Sequence, residues 1–243
     1  MTRLALAFAL VGVGISSSAC DRATVIVAPP EDPALAPVPS EDPVAIHAAV
    51  RLRVQTYVHA LDTRDVETAR ASVVRDTAAY YEDLRGLALT ATRDQLESLD
   101  LMSVLLVLQI RNAVTGPELE TLDGAGLFER AVAEGLVGSE AKDVSLDDVW
   151  LDESGEKAEI RIEGQAVVWL RFEDDDWRID LPTMIQTIGA TLGQLARERI
   201  VRDGKVFTAV MLLQQSIAVD PAVVDGPLEA EGEDASSQSP PAE

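Results

Sequence analysis

Residues 157–181 read KAEIRIEGQAVVWLRFEDDDWRIDL, the one long stretch of the chain in which apolar side chains recur at every second position. Ala158, Ile160 and Ile162 alternate with Glu159, Arg161 and Glu163, so one face of this strand is apolar and the other solvated. Residues 166–172 and 177–181 predict two more strands around the acidic turn Glu173-Asp174-Asp175-Asp176, whose residues suit a hairpin. Residues 144–151 predict a strand ahead of them, joined through Asp152-Glu153-Ser154-Gly155. The flanking segments carry helical rather than alternating periodicity. The expected class is therefore α+β, with helices folded over a small antiparallel sheet.

Asp42-Pro43 fits an N-cap followed by the first helical position, and Val50, Val54, Tyr57, Val58 and Leu61 continue one apolar face, which predicts a helix over 43–61. Residues 62–65 break it and cap a short helix through 73. Residues 76–77 start a third, carrying Tyr80, Tyr81, Leu84 and Leu87. Thr92 with Gln95 is a capping-box pattern. Residues 99–110, LDLMSVLLVLQI, predict a helix buried on most sides, too short for a membrane span, and Thr115-Gly116-Pro117 ends it. Asp123-Gly124 caps a further helix, with Gly135 as its left-handed stop. After the sheet two helices are predicted, one from Pro182 with Met184, Ile185, Ile188, Leu192 and Leu195, the other over 205–218 with Val206, Val210, Leu213 and Ile217.

A chain of 243 residues with 47% hydrophobic content can bury one sizeable core, placed at 43–222 as a single domain. Its formal net charge of -22, with 42 acids against 20 bases and no basic run, excludes nucleic acid as a partner. The same charge repels anionic lipid, so membrane association requires a covalent or hydrophobic anchor. Cys20 is the only cysteine, so no intrachain disulfide forms. Residues 225–243, DGPLEAEGEDASSQSPPAE, hold six acids and no base, and a disordered acidic tail is expected over 223–243.

At the other end, MTRLALAFALVGVGISSSAC shows Arg3, an apolar run over 4–15 and small residues before Cys20, the pattern of a secretion signal over 1–19. As a helix the run spans about 18 Å, short of a bilayer core of roughly 30 Å. Ser17-Ser18-Ala19-Cys20 resembles the bacterial lipoprotein signal, in which lipid is attached to the cysteine sulfur and cleavage follows just before it. That family usually has leucine where Ser17 stands, so ordinary cleavage and an uncleaved anchor stay open as alternatives. The resemblance implies Cys20 as an acylated (palmitate-type) first residue, a membrane partner through that anchor, and a place in the bacterial cell envelope. Asp21 resembles a signal for retention in the inner membrane, a rule that varies between lineages. Residues 20–42, with six prolines over 29–43 and interspersed acids, predict an extended tether.

ALDTRDVETARASV, over 60–73, is similar to the loop between the first two helices of the NTF2-like (SnoaL-like, cystatin-type) α+β fold, and AVVWLRFEDDDWRIDL, over 166–181, to its hairpin ending in Trp-x-Ile-Asp. The resemblance covers about residues 43–181. It implies N-terminal helices packed into the concave side of a curved antiparallel sheet, and a homodimer paired through that sheet. The two helices expected after the sheet depart from it, since many members end on a strand. Enzymes of this superfamily place Asp, His or Tyr in the cone, and no such constellation carries over to these residues.

Candidate ligand-binding residues are Tyr57, Tyr80, Arg111 and Trp169. The tyrosines and Trp169, with Trp150, Trp177 and Tyr81, are the aromatics able to line a pocket between sheet and helices, against core packing as the default. Arg111 follows a very apolar run, where it meets an anionic ligand in a cavity, snorkels to the surface or pairs with an acid such as Asp123. His47 and His59 lie about 18 Å apart on one predicted helix and share no metal. The acidic turns at 152–153 and 174–176 fall at one end of the sheet, and solvated hairpin tips outweigh a weak calcium site there. No catalytic residue, cofactor or metal is expected. Two functions follow, a tethered non-enzymatic domain that binds an envelope protein or supports envelope structure, or a small-ligand carrier or cofactor-free isomerase or hydrolase built on a cone pocket.

Overall fold

The computed structural model describes residues 42–137, 146, 148–162, 164–215, 217–220 and 222–225. The signal, Cys20, nearly all of the tether and residues 226–243 lie outside them. Among the described residues seven helices come first: α1 Pro43–Thr63, α2 Val66–Ala71, α3 Asp76–Thr90, α4 Arg93–Ser98, α5 Leu101–Ala113, α6 Gly116–Thr121 and α7 Gly124–Glu134. Strands β1 Asp148–Leu151, β2 Lys157–Ile162, β3 Gln165–Glu173 and β4 Asp176–Ile179 follow, then α8 Leu181–Leu195, α9 Arg197–Asp203, α10 Lys205–Leu213 and α11 Ala222–Asp225.

Local chemistry sets most of these boundaries. Asp42, Asp65, Asp100, Asp123 and Asp180 each accept a backbone N–H in the first turn of the helix they precede. Thr92 and Gln95 form the capping box of α4. Gly135, at φ 72°, ends α7 in the left-handed conformation that glycine adopts without strain.

The sheet is an antiparallel meander in the order β1-β2-β3-β4. Its register sets Val149 against Ile160, Ala158 against Leu170 and Leu170 against Ile179, so the apolar members of each strand share the buried face. The hairpin from β3 to β4 turns through Asp174 and Asp175, both at positive φ, as a two-residue connection requires. The free edge of β4 is covered: Ile179 donates to the Ser72 carbonyl (2.8 Å) and Val74 to the Ile179 carbonyl (3.0 Å).

The expected α+β class with an antiparallel sheet stands, and its layering differs from expectation. The helical core is organised around α5, which buries nine of its thirteen residues and is packed by α3, α8, α10 and α11. A helix apolar on nearly every side needs helices around it, not one sheet face. The sheet is packed by α1 at β4 and by α8 at β3. Among the described residues four helices follow it where two were expected. The additions are α9, which buries no residue, and α11, whose Val223 is buried. α11, Ala222–Asp225, lies across the boundary expected at 222.

Candidate functional site

Alternation gives the sheet a second face. Trp150 on β1, Lys157, Glu159 and Arg161 on β2, and Trp169 and Arg171 on β3 point away from the core and line a groove of about 380 Å³, closed at one side by Asp180 and Thr183 where α8 begins. Glu159 stands opposite Trp169 across the β2–β3 ladder. The Arg161 guanidinium lies 4.2 Å from the centroid of the Trp150 ring, a cation–π contact, and donates through Nε and Nη2 to Glu159 Oε2 at 2.9 and 2.7 Å. Trp150 donates its Nε1–H to Asp148 Oδ1 (2.9 Å) and stays 52% exposed, so its ring is an accessible wall.

Arg171 anchors the opposite side. Its Nη2 donates to Asp76 Oδ2 (2.7 Å) and lies 3.4 Å from Glu173 Oε1, while Nε lies 3.1 Å from Asp180 Oδ2. Burial works against the charged guanidinium, but Asp76, Asp180 and Glu173 outweigh it and hold its pKa above the ordinary arginine value. Asp180 also accepts from the backbone N–H and hydroxyl of Thr183, at 3.1 and 2.9 Å. The groove is thus two indole rings between charge pairs fixed on rigid strands.

The four residues singled out from sequence are not brought together. Trp169 lines this groove. Tyr57 is in the core, and its hydroxyl has no partner among the described residues. Burial, followed by the nearby Tyr81, raises its pKa well above the ordinary phenol value. Tyr80 is half-buried on α3. Burial and then Asp100 raise its pKa, opposed by a hydrogen bond with Ser103.

Arg111 is 3% exposed, and its partners are backbone carbonyls, not Asp123, whose carboxylate caps α7. Nε donates to the Ala88 carbonyl (2.7 Å), Nη2 to those of Leu87 (3.2 Å) and Ala91 (2.5 Å), and Nη1 to that of Val223 (3.3 Å). Four of the five N–H donors of the guanidinium are therefore engaged by the C-terminal end of α3 and by α11. Burial lowers its pKa from the ordinary value.

A second cavity, between α3, α5 and α7, is lined by Tyr81, Leu84, Gln109, Ile110, Leu127 and Arg130 among others, and its volume of about 30 Å³ is that of one water. Arg130 there pairs with Glu118 (3.1 Å) and Glu134 (2.6 Å). The acidic hairpin tips are occupied by protein partners. Asp152 accepts from Ser154 Oγ and from the N–H groups of Glu156 and Lys157, and those bonds, led by Ser154, lower its pKa. Asp174 pairs with Arg75 and Arg178, and Asp176 with Arg53. Among the described residues no group of three His, Cys, Asp or Glu side chains is placed to hold a metal ion, and no helix is long and apolar enough to cross a membrane.

Sequence reasoning missed Glu159, Arg161, Arg171 and Asp180 as site residues. The signal was present in the solvated half of the β2 alternation and in Trp169 and Arg171 two residues apart, but solvated strand positions read as ordinary surface. No known protein family, no curated protein and no solved structure matches this chain.

Proposed function

We propose that this chain is an envelope protein anchored to a membrane by acylated Cys20, whose α+β domain binds a protein partner through the outer face of its sheet. The observation that carries the reading is the groove between Trp150 and Trp169. Tryptophan and arginine on a rigid, partly exposed surface are the residue types that dominate interface energetics. Against an interior pocket stands the burial of Tyr57, Tyr81, Phe128 and Trp177 in the core, the cavity between α3, α5 and α7 being small. The NTF2-like character of the sheet belongs to the same proposal, supported by the hairpin ending in Trp177-x-Ile179-Asp180 and the Asp65-capped turn into α2.

The test places a photo-crosslinking amino acid at Lys157, at the groove, or at exposed Glu120 on α6, in the full chain in its own membrane. The expected result is one discrete protein adduct from position 157, none from 120, and loss of the adduct in Trp169→Ala. Equal labelling from both positions, or a small-molecule adduct in native mass spectrometry that disappears on denaturation, overturns the reading. Loss of a clickable palmitate label in Cys20→Ser tests the anchor separately.

A further inference from the structure

The last helical layer leaves apolar surface uncovered. α8, α9 and α10 are consecutive helices joined by single residues, Ala196 and Gly204. α10 turns Val206, Ala209 and Leu213 inward, packing on α5, which leaves Phe207 and Met211, one turn apart, 46% and 37% exposed on the other side. Leu195 closes α8 at 62% exposure, and Val201 on α9 is 81% exposed. Single exposed apolar residues are ordinary, but four large ones within residues 195–211 concentrate exposed apolar area in one short segment.

The charge around them runs against the rest of the chain. Arg197, Arg199 and Arg202 against Glu198 and Asp203 give α9, residues 197–203, a local charge of +1 in a chain of -22. Arg197, Arg199 and Arg202 are exposed, Arg202 pairing with its neighbour Asp203 (2.8 Å), and Arg197 shares a helical face with Val201 four residues on. Lys205 is turned inward, its Nζ on the Leu99 carbonyl, while Glu97 accepts the N–H groups of Lys205 and Val206 and so fixes α10 to α4.

We infer that α9 and the outer face of α10 dock on the anionic surface of the bilayer that holds the protein. Arginines beside valine, leucine and phenylalanine are the composition of an interfacial segment, with apolar side chains entering the headgroup boundary and cations meeting lipid phosphates. The acidic remainder is repelled by the same surface, which turns this layer toward the bilayer. The inference rests on the anchor reading, because acylation at Cys20 and a tether of about 22 residues keep the domain at an effective concentration high enough for a weak surface contact to form.

The test is hydrogen–deuterium exchange on the acylated full chain, dispersed in detergent, in phosphatidylcholine vesicles, and in vesicles with three parts in ten phosphatidylglycerol. Because α9 buries no residue, its amides exchange fast when uncovered. Docking slows exchange over 197–203 and at 207–211 roughly tenfold on the anionic vesicles, with a smaller effect on phosphatidylcholine. The variant Arg197→Glu/Arg199→Glu/Arg202→Glu loses that protection at unchanged circular dichroism. Equal exchange in detergent and on vesicles overturns the inference. So does protection that grows with protein concentration in detergent, which marks a second copy as the cover. Intact mass at Cys20 is read on the same sample: a chain without acyl overturns both readings, and an acylated chain with unprotected helices overturns this one alone.

Discussion

Arg111 places a guanidinium in the interior with carbonyl oxygens around it. The carbonyls of Ala88 and Ala91 belong to the last turn and C-cap of α3, where the helix leaves acceptors unpaired and its dipole favours a cation, and that of Leu87 beside them also accepts the Ala91 N–H. The fourth, from Val223, ties α11 to the same point. Arg111→Met strands several buried acceptors at once and is expected to cost about 3 kcal/mol or more, read as a lowered urea midpoint, with faster exchange at 222–225. Arg111→Lys loses much of the same stability, since one ammonium does not reproduce a planar fork. An Arg111→Met chain as stable as the parent would contradict this role. Tyr57 is the opposite case. Its buried hydroxyl has no partner among the described residues, so Tyr57→Phe is expected to raise stability by about 1 kcal/mol in the same measurement.

Among the elements, the crossing of α7 over α3 depends on one missing methyl group. A Cβ at Gly124 would lie 2.1 Å from the Ala78 carbonyl oxygen and 2.4 Å from the Glu82 nitrogen, both backbone atoms that cannot swing aside. Gly124→Ala must push the helices apart and is expected to cost about 3 kcal/mol. Gly86, inside α3 with open space at its Cβ, gains helix propensity from the same change, so Gly86→Ala is expected to stabilise by roughly 0.5–1 kcal/mol. Opposite signs in denaturant unfolding separate packing from propensity; equal signs would refute the packing argument. These contacts were not legible in the sequence, whereas the helix ends were, because Asp65, Thr92 with Gln95, Asp123 and Gly135 act on backbone within a few residues of themselves. The strands were legible for a similar reason, since alternation in residues 157–181 fixes which side chains face inward. α9 was hidden because a helix that buries nothing has no apolar period. The partners of Arg111 and the walls of the groove were hidden because each joins segments distant along the chain, Ala88 with Val223 and Trp150 with Trp169 and Asp180.

For the whole molecule, charge and buried phenols combine into one expectation at alkaline pH. The chain has three tyrosines, and in the folded state burial raises the pKa of each, with Tyr81 acting on Tyr57, Asp100 on Tyr80 and Tyr80 on Tyr81 as the next cause. In the unfolded chain they ionise near the ordinary value of about 10. Below that pH both states hold the phenolic protons and stability does not depend on them. Above it the unfolded chain releases protons the folded chain retains, so stability falls as pH rises. The net charge of -22 acts in the same direction, since the acids repel one another most in the compact state and so leave it less stability with which to hold the phenols protonated. Tyrosinate absorbance is therefore expected to stay flat through pH 10 and then rise in one cooperative step, together with the loss of far-ultraviolet circular dichroism. Added sodium chloride moves that step to higher pH by screening the acids, which favours the compact state in which they lie closest. A gradual titration centred near 10 with circular dichroism intact would mean that the tyrosines are open to solvent, and would undo both the filled interior and the preference for a surface site.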